Sequence, residues 1–147
     1  MTISDFLAPT DVLCDVRAAN KQQLLQELSK KAASSLSLQA EYVASELLKR
    51  EDLGSTGMGR GVAIPHARLP VVKKPFGVMA RLKSAIDFEA IDGQSVDLVF
   101  LLLLPAPPEA DQLVALASVA RKFKTDEVLK QLRRARNESE LYSVMVE

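Results

Sequence analysis

The chain is poor in the residues that disulfide and structural metal chemistry require. It has one cysteine, Cys14, and one histidine, His66. A single cysteine excludes an intramolecular disulfide and fits a reducing compartment. Cys14 reads as a small packed residue rather than a reactive thiol. A structural zinc site takes several Cys, His or carboxylate ligands close together, so neither a metal nor a cofactor is expected. An excess of charge is also missing, because 19 Lys and Arg face 19 Asp and Glu. A nucleic-acid binder needs a basic footprint to displace counterions, and none is expected as a partner. The runs Arg121-Lys122-Phe123-Lys124 and Arg133-Arg134-Ala135-Arg136 read as solvated helix faces balanced by nearby acids. Long apolar runs are absent as well. The most apolar stretch, Leu98 to Leu104, is too short to span a bilayer and reads as a strand buried on both faces. Met1 to Pro9 lacks the basic start and apolar stretch of a secretory signal. A cytoplasmic protein without direct membrane insertion is therefore expected.

What is present is enough apolar material for a core: 48% of 147 residues are hydrophobic. That length fits one domain over residues 1–147. Val12 to Val16 reads as a first strand. Asn20 offers an N-cap with Gln23 three residues later, and Leu24, Leu25, Leu28, Ala32 and Leu36 follow at helical spacing. Ser37 is the expected cap of a second helix with Val43, Ala44, Leu47 and Leu48 inward, ending near Lys49 to Leu53. Short strands are expected over Val62 to Ile64 and Phe76 to Leu82, and a central strand over Val96 to Leu104. Pro105, Pro107 and Pro108 end that strand, with Pro108 at a helix start. Leu113, Leu116, Ala117, Ala120 and Phe123 mark the next helix, and Thr125 and Asn137 cap two more. Helices alternating with central strands make the class α/β.

Four of the six glycines lie between Gly54 and Gly61. Glycine lets another molecule approach the backbone closely, and successive amides form anion-binding concavities. Ser55 and Thr56 add hydroxyl donors, Pro65 fixes the backbone before His66, and Arg50, Arg60 and Arg68 bring cations suited to a phosphate. The stretch lacks the Lys-Ser/Thr ending of a P-loop, and Val62 stands where a dinucleotide fingerprint has its third glycine.

The full string resembles the phosphorylation-site signature of the mannitol/fructose-type enzyme IIA domains of the bacterial sugar phosphotransferase system. That signature opens on an acidic or amide residue, here Glu51. After a gap of six come hydrophobic Met58 and small Gly59; after two more come Val62-Ala63-Ile64-Pro65-His66 and small Ala67. Ile86 to Leu98 and Gly54 to Gly57 are most similar to the nitrogen-regulatory branch. The resemblance implies a single domain with a mixed, mostly five-stranded sheet flanked by helices on both faces. It implies that His66 accepts a phosphoryl group through Nε2 and that Arg50 stabilises it. Thr56, Gly59 and Gln112 are weaker phosphate-binding candidates. Gln112 takes the place of a second histidine that the family usually carries on the helix after the central strand. Glutamine can donate a hydrogen bond but cannot carry the proton. Arg60 and Arg68 read as solvated charges. The implied donor is an HPr-like phosphocarrier, and the implied targets are kinases or potassium-transport components. Such a chain forms a phosphohistidine intermediate rather than turning over a substrate. Two alternatives stand beside this: a sugar-specific relay that passes phosphate to a IIB cysteine, and a protein-binding regulator that has lost phosphotransfer.

Overall fold

The computed structural model describes residues 1–106 and 110–147, with side chains from residue 113 onward in the second stretch. Two 3-10 turns, Ile3–Asp5 and Pro9–Asp11, lead into strand β1 (Val12–Val16). Helices α1 (Lys21–Leu36) and α2 (Ala40–Asp52) follow, then the short strands β2 (Gly57–Gly59), β3 (Val62–Ala63) and β4 (His66–Leu69). The long strands β5 (Phe76–Ile86) and β6 (Val96–Pro105) precede helices α3 (Ala110–Phe123), α4 (Asp126–Arg134) and α5 (Glu138–Val146).

Local chemistry accounts for most of these boundaries. The Asn20 side chain accepts from the Gln23 amide at 2.8 Å and Asn137 accepts from the Glu140 amide at 2.9 Å, so both expected caps form. Ser37 does not cap α2. It ends α1 in the left-handed region at φ 57°, with the Leu38 amide bonded back to the Ala33 carbonyl at 2.9 Å, while Gln39 takes the N-cap position of α2. A left-handed residue closing a helix satisfies its last carbonyls, and that use of the short linker outcompeted the cap. Thr125 stands at the N-cap of α4, but its hydroxyl donates to the Arg121 carbonyl instead. The inward row of α3 runs through Ala115, Val119 and Phe123, and Leu113 is 66% exposed. The expected helix start at Pro108 lies outside the described residues.

The sheet is mixed and has six strands, in the order β1-β5-β6-β3-β2 with β4 also paired to β6. The additional elements are the very short β2 and β4, and β5 runs on to Ile86, further than its alternation indicates. β5 and β6 are antiparallel, whereas β1 pairs β5, and β3 and β4 pair β6, in parallel. Helices cover both faces. Val99, Leu101 and Leu103 of β6 join Leu24, Leu25, Leu28, Val43 and Leu47 from α1 and α2. Leu98, Phe100, Leu102 and Leu104 join Val119, Phe123, Leu129, Leu132, Leu141 and Met145 from α3 to α5. The run Leu98 to Leu104 is apolar without alternation because its two faces serve two cores.

One edge of β6 carries two strands end to end. Val62 lies opposite Leu98 and His66 opposite Leu102, so the register is unchanged across the break at Ile64-Pro65. The Pro65 carbonyl accepts from the Leu102 amide at 2.9 Å, and the Ile64 amide turns away to the Thr56 carbonyl at 3.1 Å. Proline has no N–H for a ladder, which makes it the natural residue at this interruption.

The β2 segment that receives Ile64 packs directly on the loop between β5 and β6. A Cβ at Gly57 would sit 2.7 Å from the Ala90 Cβ and 2.9 Å from its Cα. Gly57→Ala is therefore expected to lower stability by about 1–3 kcal/mol through overpacking. A urea midpoint that falls while the slope holds is the expected result.

Candidate functional site

His66 opens β4 directly after the Ile64-Pro65 break and is part-buried. Ala67 and Leu69 turn into the α1–α2 core, so alternation places His66 and Arg68 on the opposite strand face. The His66 Nδ1 lies 2.8 Å from the Ile64 carbonyl oxygen. A carbonyl only accepts, so Nδ1 carries the proton and the ring's lone pair is at Nε2.

Burial pushes the His66 pKa below its ordinary value; the Ile64 bond and the Glu51 carboxylate pull it back up, and the Arg50 and Arg68 charges lower it further. The ring is consequently a neutral imidazole at neutral pH, with its one lone pair on Nε2. Burial is the largest of these causes, and the Arg50 and Arg68 charges that add to it have the sign that suits an anion.

Arg50 stands in the last turn of α2, and its Nη1 donates to the Gly54 carbonyl at 2.9 Å. A guanidinium has five donors, so this anchor fixes the side chain while leaving N–H groups for an anion. The adjacent Glu51 is buried. Its Oε1 accepts from the Thr56 amide at 3.0 Å and pairs with Lys21 Nζ at 2.9 Å, and its Oε2 takes the Thr56 hydroxyl proton through a short bond. Lys21 also lies 4.7 Å from the centre of the Phe88 ring, a cation–π contact.

The weaker candidates fall in different places. The Thr56 hydroxyl is donated to Glu51, so it is not available as a phosphate donor in this arrangement. Gly59 lies opposite Val62, beside the Asp92 carboxylate, which takes the Arg60 amide at 3.1 Å. An anion is a poor neighbour for a phosphate. Arg60 is not merely a solvated charge: its Nη1 bonds the Lys124 carbonyl at 2.8 Å and Asp126 at 2.9 Å, tying the β2–β3 turn to the start of α4. Arg133 secures the same turn, donating to the Arg60 carbonyl at 2.7 Å and to Asp97 at 3.0 Å. The side chain of Gln112 lies outside the described residues.

Cys14 accepts from Arg81 Nη2 at 2.9 Å, and burial pushes its thiol pKa up. That environment disfavours the thiolate. Among the described residues no group of three or more His, Cys, Asp or Glu side chains is placed to hold a metal, and no helix is long and apolar enough to cross a membrane.

Sequence reasoning missed the Ile64 carbonyl and Lys21. Nothing local marks Lys21, which meets Glu51 only through the packing of α1 on α2. The Ile64 carbonyl had a readable signal, since a residue before proline is held extended and presents its carbonyl near the residue after it.

Residues 5–147 match the model of the family described as phosphoenolpyruvate-dependent sugar phosphotransferase system, EIIA 2. A nitrogen regulatory protein of Bradyrhizobium diazoefficiens is 48% identical over 145 residues, covering 99% of this chain and 95% of its own. The crystal structure of nitrogen regulatory protein IIA-Ntr from Neisseria meningitidis superposes with a TM-score of 0.92 at 32% identity, covering 97% of this chain and 98% of that one. The Escherichia coli mannitol IIA, solved in complex with phosphorylated IIB, shares the fold at 17% identity and a TM-score of 0.78, over 94% of this chain and 95% of that one. The family match over residues 5–147 and the identity to nitrogen regulatory proteins over nearly the whole length lead to one assignment: the chain belongs to the EIIA 2 family of the phosphotransferase system, among the nitrogen regulatory IIA proteins.

Proposed function

We propose that this protein is a phosphohistidine carrier and regulatory switch of the nitrogen branch, accepting a phosphoryl group on His66 Nε2 from an HPr-like phosphocarrier. The observation that carries the reading is the 2.8 Å bond from His66 Nδ1 to the Ile64 carbonyl, which leaves Nε2 as the ring's only nucleophile. Phosphoryl transfer is mostly positioning and charge stabilisation. The Nε2 lone pair attacks phosphorus in line as the donor's N–P bond breaks, and that bond's electron pair returns to the donor imidazole. The proton stays on Nδ1, still donated to the Ile64 carbonyl, so the ring becomes cationic without a proton transfer. On this reading Arg50 holds the phosphoryl oxygens with the N–H groups left over from its bond to the Gly54 carbonyl. Gln112, early in α3, remains a candidate for a further hydrogen bond.

Phosphorylation adds nearly two negative charges at one point of the surface, enough to repel one partner and recruit another. The regulated partners on this reading are kinases or potassium-transport components. The second reading is a sugar relay that hands phosphate to a IIB domain. It is favoured by one observation, that the fold is shared with a mannitol IIA seen with phosphorylated IIB.

Incubation with a phosphoenolpyruvate-charged phosphocarrier chain should add one acid-labile phosphate to the wild type and none to His66→Ala, read by intact mass. Label retained on His66→Ala would sink the assignment. Rapid discharge to a sugar IIB partner would favour the relay over the switch.

Arg50→Lys keeps the charge and loses the two-pronged grip. It is expected to slow acceptance about tenfold or more, read by rapid-quench kinetics.

The pH dependence follows from the lowered His66 pKa. An NMR titration should place the imidazole below the ordinary histidine value of about 6.5. Between those two values the unfolded chain binds more protons than the folded one, so His66 costs stability as pH falls through that window. Above it the contribution vanishes. A His66 pKa above the ordinary value would contradict the neutral-nucleophile mechanism.

A further inference from the structure

Glu51 is more than a buried acid. Its carboxylate stands at the head of a series of hydrogen bonds, linked through the backbone of Thr56 and Ile64, that ends on the reacting imidazole. Lys21 Nζ lies 2.9 Å from Glu51 Oε1, and the same oxygen takes the Thr56 amide at 3.0 Å while Oε2 takes the Thr56 hydroxyl. The Thr56 carbonyl then accepts from the Ile64 amide at 3.1 Å, and the Ile64 carbonyl accepts from His66 Nδ1 at 2.8 Å. Every link is a donor facing an acceptor.

The line matters because of where it crosses the fold. Ile64 sits in the break between β3 and β4, where the ladder to β6 does not hold its amide. The Ile64 carbonyl belongs to the Ile64–Pro65 peptide, which is held from both sides: the Pro65 carbonyl by the Leu102 amide, and the Ile64 N–H by the Thr56 carbonyl. Thr56 in turn stands in the glycine-rich loop, between Gly54 at φ 148° and Gly57. Such a backbone has little stiffness of its own. Glu51 supplies the missing stiffness by gripping both the amide and the hydroxyl of one residue. Lys21 neutralises the carboxylate in its buried position, where an unpaired charge is costly.

We propose that Glu51 is a positioning residue for phosphoryl acceptance, which acts through Thr56 and the Ile64 peptide to hold His66 in the tautomer with its proton on Nδ1. Without that grip the Ile64–Pro65 peptide loses its hold on the Ile64 side and keeps only that of Pro65, the Ile64 carbonyl turns off the Nδ1 axis, and the imidazole proton redistributes toward Nε2, the nitrogen that must be bare. Lys21 is the counter-charge that lets Glu51 be buried. The inference rests on the reading of His66 as acceptor, and it extends that reading to residues that never touch the phosphate.

The test compares two variants of equal charge. Lys21→Met with Glu51→Gln removes both charges and keeps an acceptor for the Thr56 amide. Lys21→Met with Glu51→Ala removes both charges and the acceptor. Imidazole nitrogen-15 shifts report the tautomer, and rapid-quench kinetics with the charged phosphocarrier report acceptance; circular dichroism confirms the fold. The alanine pair is expected to shift the tautomer toward Nε2–H. It should also accept phosphate at least about tenfold more slowly, comparable to loss of the partner that orients a metal-bound histidine. The glutamine pair is expected to recover the wild-type tautomer and most of the rate. Two folded pairs that behave alike would overturn the proposal: both like wild type would mean that neither the charges nor the bond to Thr56 matters, and both equally slow that charge and not that bond decides. If the alanine pair does not fold, Thr56→Val, which removes only the hydroxyl link, is expected to move the tautomer in the same direction; unchanged shifts there would overturn it. A wild type that takes no phosphate would defeat the acceptor assignment alone, because the tautomer is read without phosphate.

Discussion

The hydrogen bond from His66 Nδ1 to the Ile64 carbonyl is the constraint on which the site depends. In an uninterrupted β-strand a carbonyl is committed to the neighbouring strand and cannot reach the side chain two residues on. Here β3 and β4 keep one register along β6, so the sheet gains its edge pairing on both sides of the break. The break releases a single carbonyl. Proline at position 65 makes this possible at small cost, because it has no N–H to leave unpaired. The strand pairing therefore fixes where the imidazole is, and the interruption fixes which nitrogen it offers.

Charge around the ring follows the same economy. Arg50 and Arg68 disfavour a protonated His66, and Glu51 favours it. The Glu51 charge is compensated by Lys21 and by two bonds from Thr56, which confines it to the interior side of the loop. The cations are left to dominate the face that meets solvent. Arg60 and Arg133 play a different part. They bind the turn between β2 and β3 to Asp126, Asp97 and the Lys124 carbonyl, and so anchor the far end of the loop to α4. The two ends of one glycine-rich segment are thus held by different charges for different purposes.

The sequence singled out His66 as the candidate acceptor because its signature is local: Glu51, Met58, Gly59 and Val62 to Ala67 stand in a fixed spacing. The class of fold was legible because Leu98 to Leu104 can only be a doubly buried strand, and because Asn20 and Asn137 mark helix starts. Other features depended on what lies far along the chain. β2 and β4 have three and four residues, too few for a period, and exist only because β6 pairs with their surroundings. The phase of α3 was hidden because Leu113, Val114, Ala115, Leu116, Ala117, Val119 and Ala120 are apolar nearly all round the helix. Packing then selected the row of Ala115, Val119 and Phe123. Thr56 has a hydroxyl in a loop rich in glycine, which is how a phosphate ligand reads. Its donation to Glu51 required Lys21, thirty residues upstream of Glu51, to bring a charge to the same place.

The chemistry of transfer sets how such a protein signals. On the reading proposed above, a neutral imidazole with its proton on Nδ1 becomes, after attack through Nε2, a cationic ring whose Nδ1–H still donates to the same carbonyl. The hydrogen bond to Ile64 is present before and after, and it strengthens when the ring gains charge. Neither the peptide break nor the grip of Glu51 on Thr56 has to rearrange. On the reading proposed above, phosphorylation then leaves the backbone around His66 in place and changes mainly the charge presented beside Arg50. A partner would distinguish the two forms by that charge and by the cation it meets, which is the economical design for a site whose nucleophile is locked into a sheet.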